Sequence, residues 1–226
     1  MSEKNFGDAF HDRNIVRNIV LMRHGRTDWN DAHRFQGRTD IPLNDKGLAQ
    51  AEKTADRLAK WPVDAVYTSP MIRACQTAQP IANRHGRKPI VLNDLVEVDF
   101  GPWENQSFEN IRCQYPDLMR KWMKDPFFRA PEGAETWESI RIRAERAIEV
   151  VLREEGKRVV VVSHGGIMRA LFSVLLGLDP HVVWNIKASN CALNGIEVRK
   201  DQTLLAFSND ELHLKEELTD ITLPVW

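Results

Sequence analysis

The sequence predicts an α/β fold in which a mostly parallel central sheet is flanked by helices, giving a three-layer sandwich. Short runs of apolar residues alternate along the chain with longer segments whose apolar residues recur at helical spacing. Residues 158–163 are nearly all valine, which is typical of a strand buried on both faces. Two predicted strands are each followed by a histidine and a glycine, in Arg-His-Gly at 23–25 and in His-Gly at 164–165. In such sheets, ligands bind at the carboxyl ends of the strands.

The composition is that of an ordinary globular protein. The chain has 226 residues, of which 42% are hydrophobic and 28% are charged, and its net charge is −1. This balance argues against a general nucleic-acid binder. Cys75, Cys113 and Cys191 show neither a disulfide framework nor metal-ligand spacing, so buried free thiols in a reducing compartment are expected.

Targeting signals are not evident in the sequence. Residues 1–16 are polar and lack the apolar core of a signal peptide. No segment approaches the roughly 18 consecutive apolar residues of a membrane span. We therefore expect a cytoplasmic protein without a membrane partner, and we expect residues 1–16 to form a flexible tail.

The first half of the chain is expected to contain three strands and two helices. The strands are predicted at 19–22, 64–68 and 90–92. Asn44 is a suitable N-cap for a helix that runs to about Lys60. The apolar stripe of this helix consists of Leu48, Ala51, Ala55, Leu58 and Ala59. Ser69 and Pro70 predict the start of a second helix, which runs to roughly Arg84.

The second half is expected to begin with an irregular insertion and to end in regular elements. Short helices are predicted around 107–113 and 116–124, and the whole segment 93–135 is interpreted as an inserted cap over the sheet edge. The regular elements are a helix at 136–154, a strand at 158–163, a helix at 167–176 and strands at 192–198 and 203–208. No linker or repeat is evident, so residues 1–226 are expected to form one domain.

The residues at the predicted strand ends suit phosphate-ester chemistry. Arginine binds phosphate oxygens through a planar fork, and Arg23 and Arg73 are placed to do so. An imidazole such as His24 can act as a nucleophile, and His164 ends a second strand. The alcohol leaving group needs a proton, which a carboxylic acid such as Glu97 can supply.

These residues fall in motifs that resemble the histidine phosphatase superfamily, in the branch that includes cofactor-dependent phosphoglycerate mutases. In chain order the motifs are LMRHGRTDWN at 21–30, TSPMIRACQTA at 68–78, EVDFGPWE at 97–104 and SHGG at 163–166. The resemblance covers about residues 17–214. Four ordered motifs are far more specific than a lone Arg-His-Gly.

The resemblance implies a role for each of the main residues. His24 would be the nucleophile and would become phosphohistidine. Arg23, Arg73 and His164 would hold the phosphoryl group. Glu97 would protonate the leaving oxygen and then activate water, although Asp94, Asp99 and Glu104 lie close in sequence and leave this assignment open. The resemblance implies neither a metal nor another cofactor.

Three further residues are predicted to bind substrate. Asn30 matches a polar residue that helps to bind phosphate in the family. Arg26 stands where Glu or Gln is usual and adds positive charge near the entrance. Gly165 lets the backbone approach a ligand closely. Asn105 also departs from the family pattern, because Gly is usual at that position.

Within the resemblance, a phosphatase is favoured over a mutase. His164 is followed by Gly-Gly, where mutases tend to have Gly-Asn, and Glu97 is followed by Val-Asp-Phe-Gly rather than Arg-His-Tyr-Gly. We therefore predict a hydrolase of small phosphomonoesters, as a monomer or a homodimer. Phosphoglycerate mutase is the alternative. A binding module on an inactive fold would predict the loss of a key residue, and none is lost.

Several other side chains are expected to be structural or exposed. These are His33, His85, His181 and His213. The aromatic residues Trp122, Phe127 and Phe128 are expected to form the core of the cap, with a possible second role in specificity left open.

Overall fold

The computed structural model describes residues 15–153 and 156–215. The predicted tail lies outside the described residues up to position 14. Within the described ranges, six strands form one sheet in the order β3-β2-β4-β1-β5-β6. The strands are β1 (Ile15–Arg23), β2 (Ala65–Thr68), β3 (Ile90–Val91), β4 (Arg158–Ser163), β5 (Leu193–Arg199) and β6 (Thr203–Asp210).

The sheet is parallel on one side and antiparallel on the other. Strands β3, β2, β4 and β1 run parallel, whereas β5 is antiparallel to β1 and to β6. The prediction of a mostly parallel sheet is confirmed. Strands β1 and β4 are direct neighbours, and their register pairs Arg23 with Ser163.

Helices cover both faces of the sheet. The described helices are α1 (Asp28–Asp31), α2 (Asp45–Leu58), α3 (Ile72–Arg84), α4 (Phe108–Gln114), α5 (Pro116–Lys124), α6 (Trp137–Arg153) and α7 (Gly165–Leu176). Val160 and Val162 share a core with α2 and α3, while Val159 and Val161 share a core with α6 and α7. The alternation of strand side chains therefore separates two cores, which gives the three layers predicted.

Some boundaries differ from the sequence predictions. Strand β1 begins at Ile15, inside the predicted tail. Helix α3 begins at Ile72, and Ser69 accepts a hydrogen bond from the N–H of Met71 rather than capping the helix. Leu48 was wrongly placed in the apolar stripe of α2: it is 44% exposed, and Thr54 is buried instead.

The predicted cap shares its core with the loop that follows β1. Within residues 93–135, the buried side chains of Trp103, α4 and α5 pack around Phe35, whereas Leu95, Val98 and Phe127 belong to the core shared by α6 and α7. Of the three aromatic residues predicted to form the core of the cap, Trp122 does so; Phe127 is buried in the core beside α6 and α7, and Phe128 is 46% exposed. Among the described helices, none is long and apolar enough to cross a membrane.

Candidate active site

Strands β1 and β4 bring the two predicted histidines together. Each histidine is the residue directly after its strand, and the paired strand ends are neighbours in the sheet. The N–H of His24 donates to the carbonyl of Ser163 (2.9 Å), and the rings of His24 and His164 lie with centroids 5.0 Å apart. Both side chains are almost completely buried.

The hydrogen bonding of His24 fixes its tautomer. Its Nδ1 lies 2.6 Å from the carbonyl oxygen of Gly25, which can only accept, so Nδ1 carries the proton. Burial, followed by the charges of Arg23 and Arg73, holds the pKa of His24 well below its ordinary value. The ring is therefore neutral at neutral pH, and its Nε2 has a free lone pair.

His164 is fixed on both ring nitrogens by protein groups. Its Nδ1 accepts from Nε of Arg73 (3.2 Å), so Nε2 carries the proton and donates to Oγ of Ser69 (2.7 Å). Burial, then the charge of Arg73, lowers the pKa of His164 well below its usual range. In this arrangement His164 contacts and orients Arg73, and its predicted contact with a phosphoryl group stays a prediction.

Arg73 is fully buried and held mainly by backbone carbonyls. Its Nη1 donates to the carbonyl of Thr39 (2.9 Å), and its Nη2 donates to the carbonyl of Gly37 (2.8 Å). The carboxylate of Glu104 orders the same loop, accepting from the N–H of Arg38 (2.8 Å) and from Oγ1 of Thr39 (2.7 Å). From the sequence alone, Glu104 is only an alternative to Glu97 as the acid, and the structure gives it this separate role instead.

Glu97 lies at the amino end of α7. Its Oε1 accepts from the N–H groups of Val98 (2.8 Å), Gly166 (3.1 Å) and Ile167 (3.0 Å). Its Oε2 accepts only from Gly166 among the described residues (3.1 Å), and so it retains more free lone-pair capacity. A Cβ at Gly166 would lie 2.7 Å from Oε1 of Glu97, so glycine is needed for this close approach.

Asn30 and Asn190 hold the loop around His24. Asn190 donates from Nδ2 to the carbonyl of His24 (2.8 Å) and to Oδ1 of Asn30 (3.2 Å). The N–H of Thr27 also donates to Oδ1 of Asn30 (3.1 Å). The Nδ2 of Asn30 has no acceptor among the described residues and can donate to a ligand. Sequence reasoning missed Asn190, which follows no motif.

These groups line one cavity of about 320 Å³. It contains every predicted site residue except His164, together with Arg169, which sequence reasoning missed, and an aromatic wall. The wall consists of Phe35, Phe100, Phe108, Trp122 and Trp184. Trp122 therefore belongs both to the core of the cap and to the cavity.

The predicted substrate-binding residues occupy different parts of this cavity. Arg26 is partly exposed and forms an ion pair with Asp31 (2.8 Å). Gly165 begins α7, where the helix dipole favours an anion. No cluster of metal-ligating side chains occurs among residues 15–153 and 156–215.

A model of the histidine phosphatase superfamily (branch 1) matches residues 19–211. The chain belongs to this superfamily. It is 31% identical to Phosphoserine phosphatase 1 of Hydrogenobacter thermophilus over 199 residues, covering 88% of this chain and 94% of the relative. It is also 31% identical to the Proteus mirabilis protein named "Probable phosphoglycerate mutase GpmB", covering 91% and 96% of the two chains.

A solved phosphatase structure agrees with the fold. The mycobacterial glucosyl-3-phosphoglycerate phosphatase complexed with VO3 superposes with a TM-score of 0.78 at 28% identity. The match covers 86% of this chain and 99% of that chain. The predicted superfamily and fold are therefore confirmed, and membership together with the phosphatase relatives supports phosphomonoester hydrolysis over mutase activity.

Proposed function

We propose that this protein hydrolyses small phosphomonoesters through a phosphohistidine on His24. The observation that carries the proposal is the buried, neutral His24 ring, whose Nδ1 proton is held by Gly25 and whose Nε2 is free. As Nε2 forms a bond to phosphorus, the ring gains positive charge, and its Nδ1–H bond to the carbonyl strengthens. Arg23 and Arg73 offset the charge of the phosphoryl oxygens.

The reaction has two balanced steps. In the first, the Nε2 lone pair of His24 forms a bond to phosphorus, the bond from phosphorus to the ester oxygen breaks, and that oxygen takes a proton from Glu97. In the second, a water oxygen attacks phosphorus and gives a proton to Glu97. The bond from phosphorus to Nε2 then breaks, releasing inorganic phosphate. We assign the transferable proton to Oε2, the less engaged oxygen of Glu97.

The remaining residues support the same reaction in this proposal. Asn30 donates from Nδ2 to a phosphoryl oxygen, and the helix start at Gly165 faces the same anion. Arg26 lies at the rim, where it is paired with Asp31. The main role of His164 is to hold Arg73 through its Nδ1. To contact phosphate directly, its Nε2–H would have to leave Oγ of Ser69 and donate to a phosphoryl oxygen instead.

Domain organisation and setting follow from the same interpretation. We infer one histidine phosphatase domain over residues 1–226 with 93–135 as its cap, acting as a monomer or homodimer. All three cysteines are free thiols, which supports a reducing, cytoplasmic location, but only Cys191 is buried as predicted and Cys113 is exposed. The substrate is a small molecule. The net charge of −1 argues against a nucleic-acid partner.

Trapping the intermediate tests this function. Wild type, His24→Ala and the exposed control His181→Ala would be mixed with p-nitrophenyl phosphate and with radiolabelled 3-phosphoglycerate in EDTA. We expect wild type and His181→Ala to release phosphate and to carry an acid-labile, base-stable label. His24→Ala should do neither. Activity that EDTA abolishes, or a label that persists in His24→Ala, would contradict the proposal.

The same assay separates hydrolysis from mutase activity. A mutase returns the phosphoryl group to the substrate, so it would convert 3-phosphoglycerate to 2-phosphoglycerate in the presence of a bisphosphorylated primer. Primer-dependent conversion with little phosphate release would identify the mutase. We expect phosphate release without a primer.

A further inference from the structure

Arg169 is a cation of this cavity that has no part in the proposed phosphoryl transfer. Arg169 lies on α7, is half-buried and lines the same cavity as His24 and Glu97. Among the described residues, its Nη1 donates to the carbonyl of Gly165 (2.6 Å) and its guanidinium lies 4.3 Å from the ring centroid of Trp184. Neither contact neutralises its charge.

The free edge of this guanidinium suits a planar anion. Nε of Arg169 is buried and has no hydrogen-bond acceptor among the described residues. Nη2 likewise makes no hydrogen bond within that part of the chain. Together these two nitrogens form one side of the guanidinium fork, which a carboxylate can engage with both oxygens. Trp184 lies against the flat face of the group and not against this edge.

Arg169 is close to the phosphoryl site. A Cβ at Gly165 would lie 3.5 Å from Nη1 of Arg169 and 3.6 Å from Cζ of Arg23. Both arginines therefore border one small space that the glycine keeps open. Burial, followed by the charge of Arg23, lowers the pKa of Arg169 to about 10, so the group remains charged at neutral pH.

We propose that Arg169 is a specificity-determining residue that binds a carboxylate of the substrate, a few bonds from the phosphate. This inference rests on the proposed function, since Arg23 must hold the phosphoryl group for Arg169 to remain for a second anion. The substrate class is then a small phosphorylated carboxylic acid, and its carbon chain lies against the aromatic wall.

Two matched pairs of substrates test the proposal. O-phosphoserine differs from O-phosphoethanolamine by one carboxylate, and 3-phosphoglycerate carries a carboxylate where glycerol 3-phosphate carries a hydroxymethyl group. KM and kcat would be measured for wild type, Arg169→Met, Arg169→Lys and Arg34→Met. Arg34 is the charge-matched control, because it also lines the cavity but is exposed and donates to Asn105. p-Nitrophenyl phosphate reports hydrolysis without any carboxylate.

We expect wild type to prefer the carboxylate-bearing member of at least one pair. Arg169→Met should raise KM for that member by about 10- to 100-fold, the range for loss of a charge-assisted hydrogen-bonded pair. KM for its partner and for p-nitrophenyl phosphate should change by less than about 3-fold. Arg169→Lys should recover only part of the preference, because a point charge lacks the fork. Arg34→Met should leave the ratio within each pair unchanged.

Two results would overturn the proposal. One is a wild type that shows no preference within either pair. The other is an Arg169→Met variant that loses activity equally on both members, which would mean that Arg169 acts on Glu97 or Arg23 rather than on substrate. A folded wild type that fails to cleave p-nitrophenyl phosphate as well would instead overturn the proposed function itself, and the inference with it.

Discussion

Replacing Gly166 by alanine should displace the proposed acid from its place at α7. The new Cβ would lie 2.7 Å from Oε1 of Glu97 and 2.8 Å from Cγ2 of Val98. Ordinary contact begins at 3.4 Å, so the carboxylate has to retreat by roughly 0.7 Å. A misplacement of about 1 Å can cost about 100-fold in rate, so we expect kcat to fall by about 10- to 100-fold.

The same change should lower stability measurably. Glu97 accepts hydrogen bonds from the N–H groups of Gly166 and Ile167, and the displaced carboxylate would no longer satisfy both. We expect the free energy of unfolding to fall by about 1–3 kcal/mol. In a chain of this size, that loss corresponds to a decrease in Tm of roughly 2–4 °C per kcal/mol.

A double-mutant cycle shows whether the loss passes through Glu97. Steady-state kcat for p-nitrophenyl phosphate would be measured for wild type, Gly166→Ala, Glu97→Gln and the double variant, with thermal melting as the check on folding. If Gly166 acts only through Glu97, the double variant should be no slower than Glu97→Gln alone. Losses that multiply, or a Gly166→Ala variant as fast as wild type, would refute the reasoning.

Three further predictions concern the groups that support the site. Glu104→Gln should raise KM for phosphate esters several-fold and change kcat less, because the loop whose carbonyls hold Arg73 loses a charged acceptor. A decrease in kcat as large as the increase in KM would contradict this role. Asn190→Ala should slow the burst of phosphohistidine formation, measured by rapid quench, because the carbonyl of His24 loses its 2.8 Å bond; an unchanged burst would contradict it. Because the pKa values of His24 and His164 are lowered in the folded state, the unfolded chain takes up more protons below about pH 6.5. As the pH is lowered from 6.5 to 5, the free energy of unfolding should therefore decrease by up to about 1.4 kcal/mol per pH unit for each histidine. The free energy of unfolding of His24→Asn, measured with urea over the same range, should depend less steeply on pH than that of wild type. Equal slopes would contradict the assignment.

Much of the site could be predicted because its residues follow the ends of strands. Arg23 and His164 were recognised from Arg-His-Gly and His-Gly-Gly after apolar runs, and the parallel sheet places these ends on one edge. The sequence did not reveal that β1 and β4 are direct neighbours. That adjacency is what brings the two imidazole rings to a centroid distance of 5.0 Å.

The missed residues lack a local signal of the same kind. Asn190 acts from an irregular segment before β5, so neither periodicity nor a turn pattern marks it. Ser69 was interpreted as a helix cap, since Ser-Pro commonly begins a helix, but its hydroxyl contacts His164 across 95 positions of sequence. Arg169 does carry a signal: it follows Gly165 by four residues and so shares a face of α7 with the helix start. That signal has meaning only once the helix is known to begin at Gly165.

The way the charged groups are held explains why the cavity favours a phosphate ester. Arg73 donates to two carbonyl oxygens and a neutral imidazole, and Arg23 donates to the carbonyl of Ala188. Carboxylates in those positions would compete with phosphate for the same donors. Among the described residues that line the cavity, the carboxylate is that of Glu97, and backbone N–H groups hold it rather than an arginine. Among the described residues, Glu97 thus forms no ion pair with Arg23 or Arg73, and both guanidinium groups remain available to a phosphate that carries about −1.5 to −2.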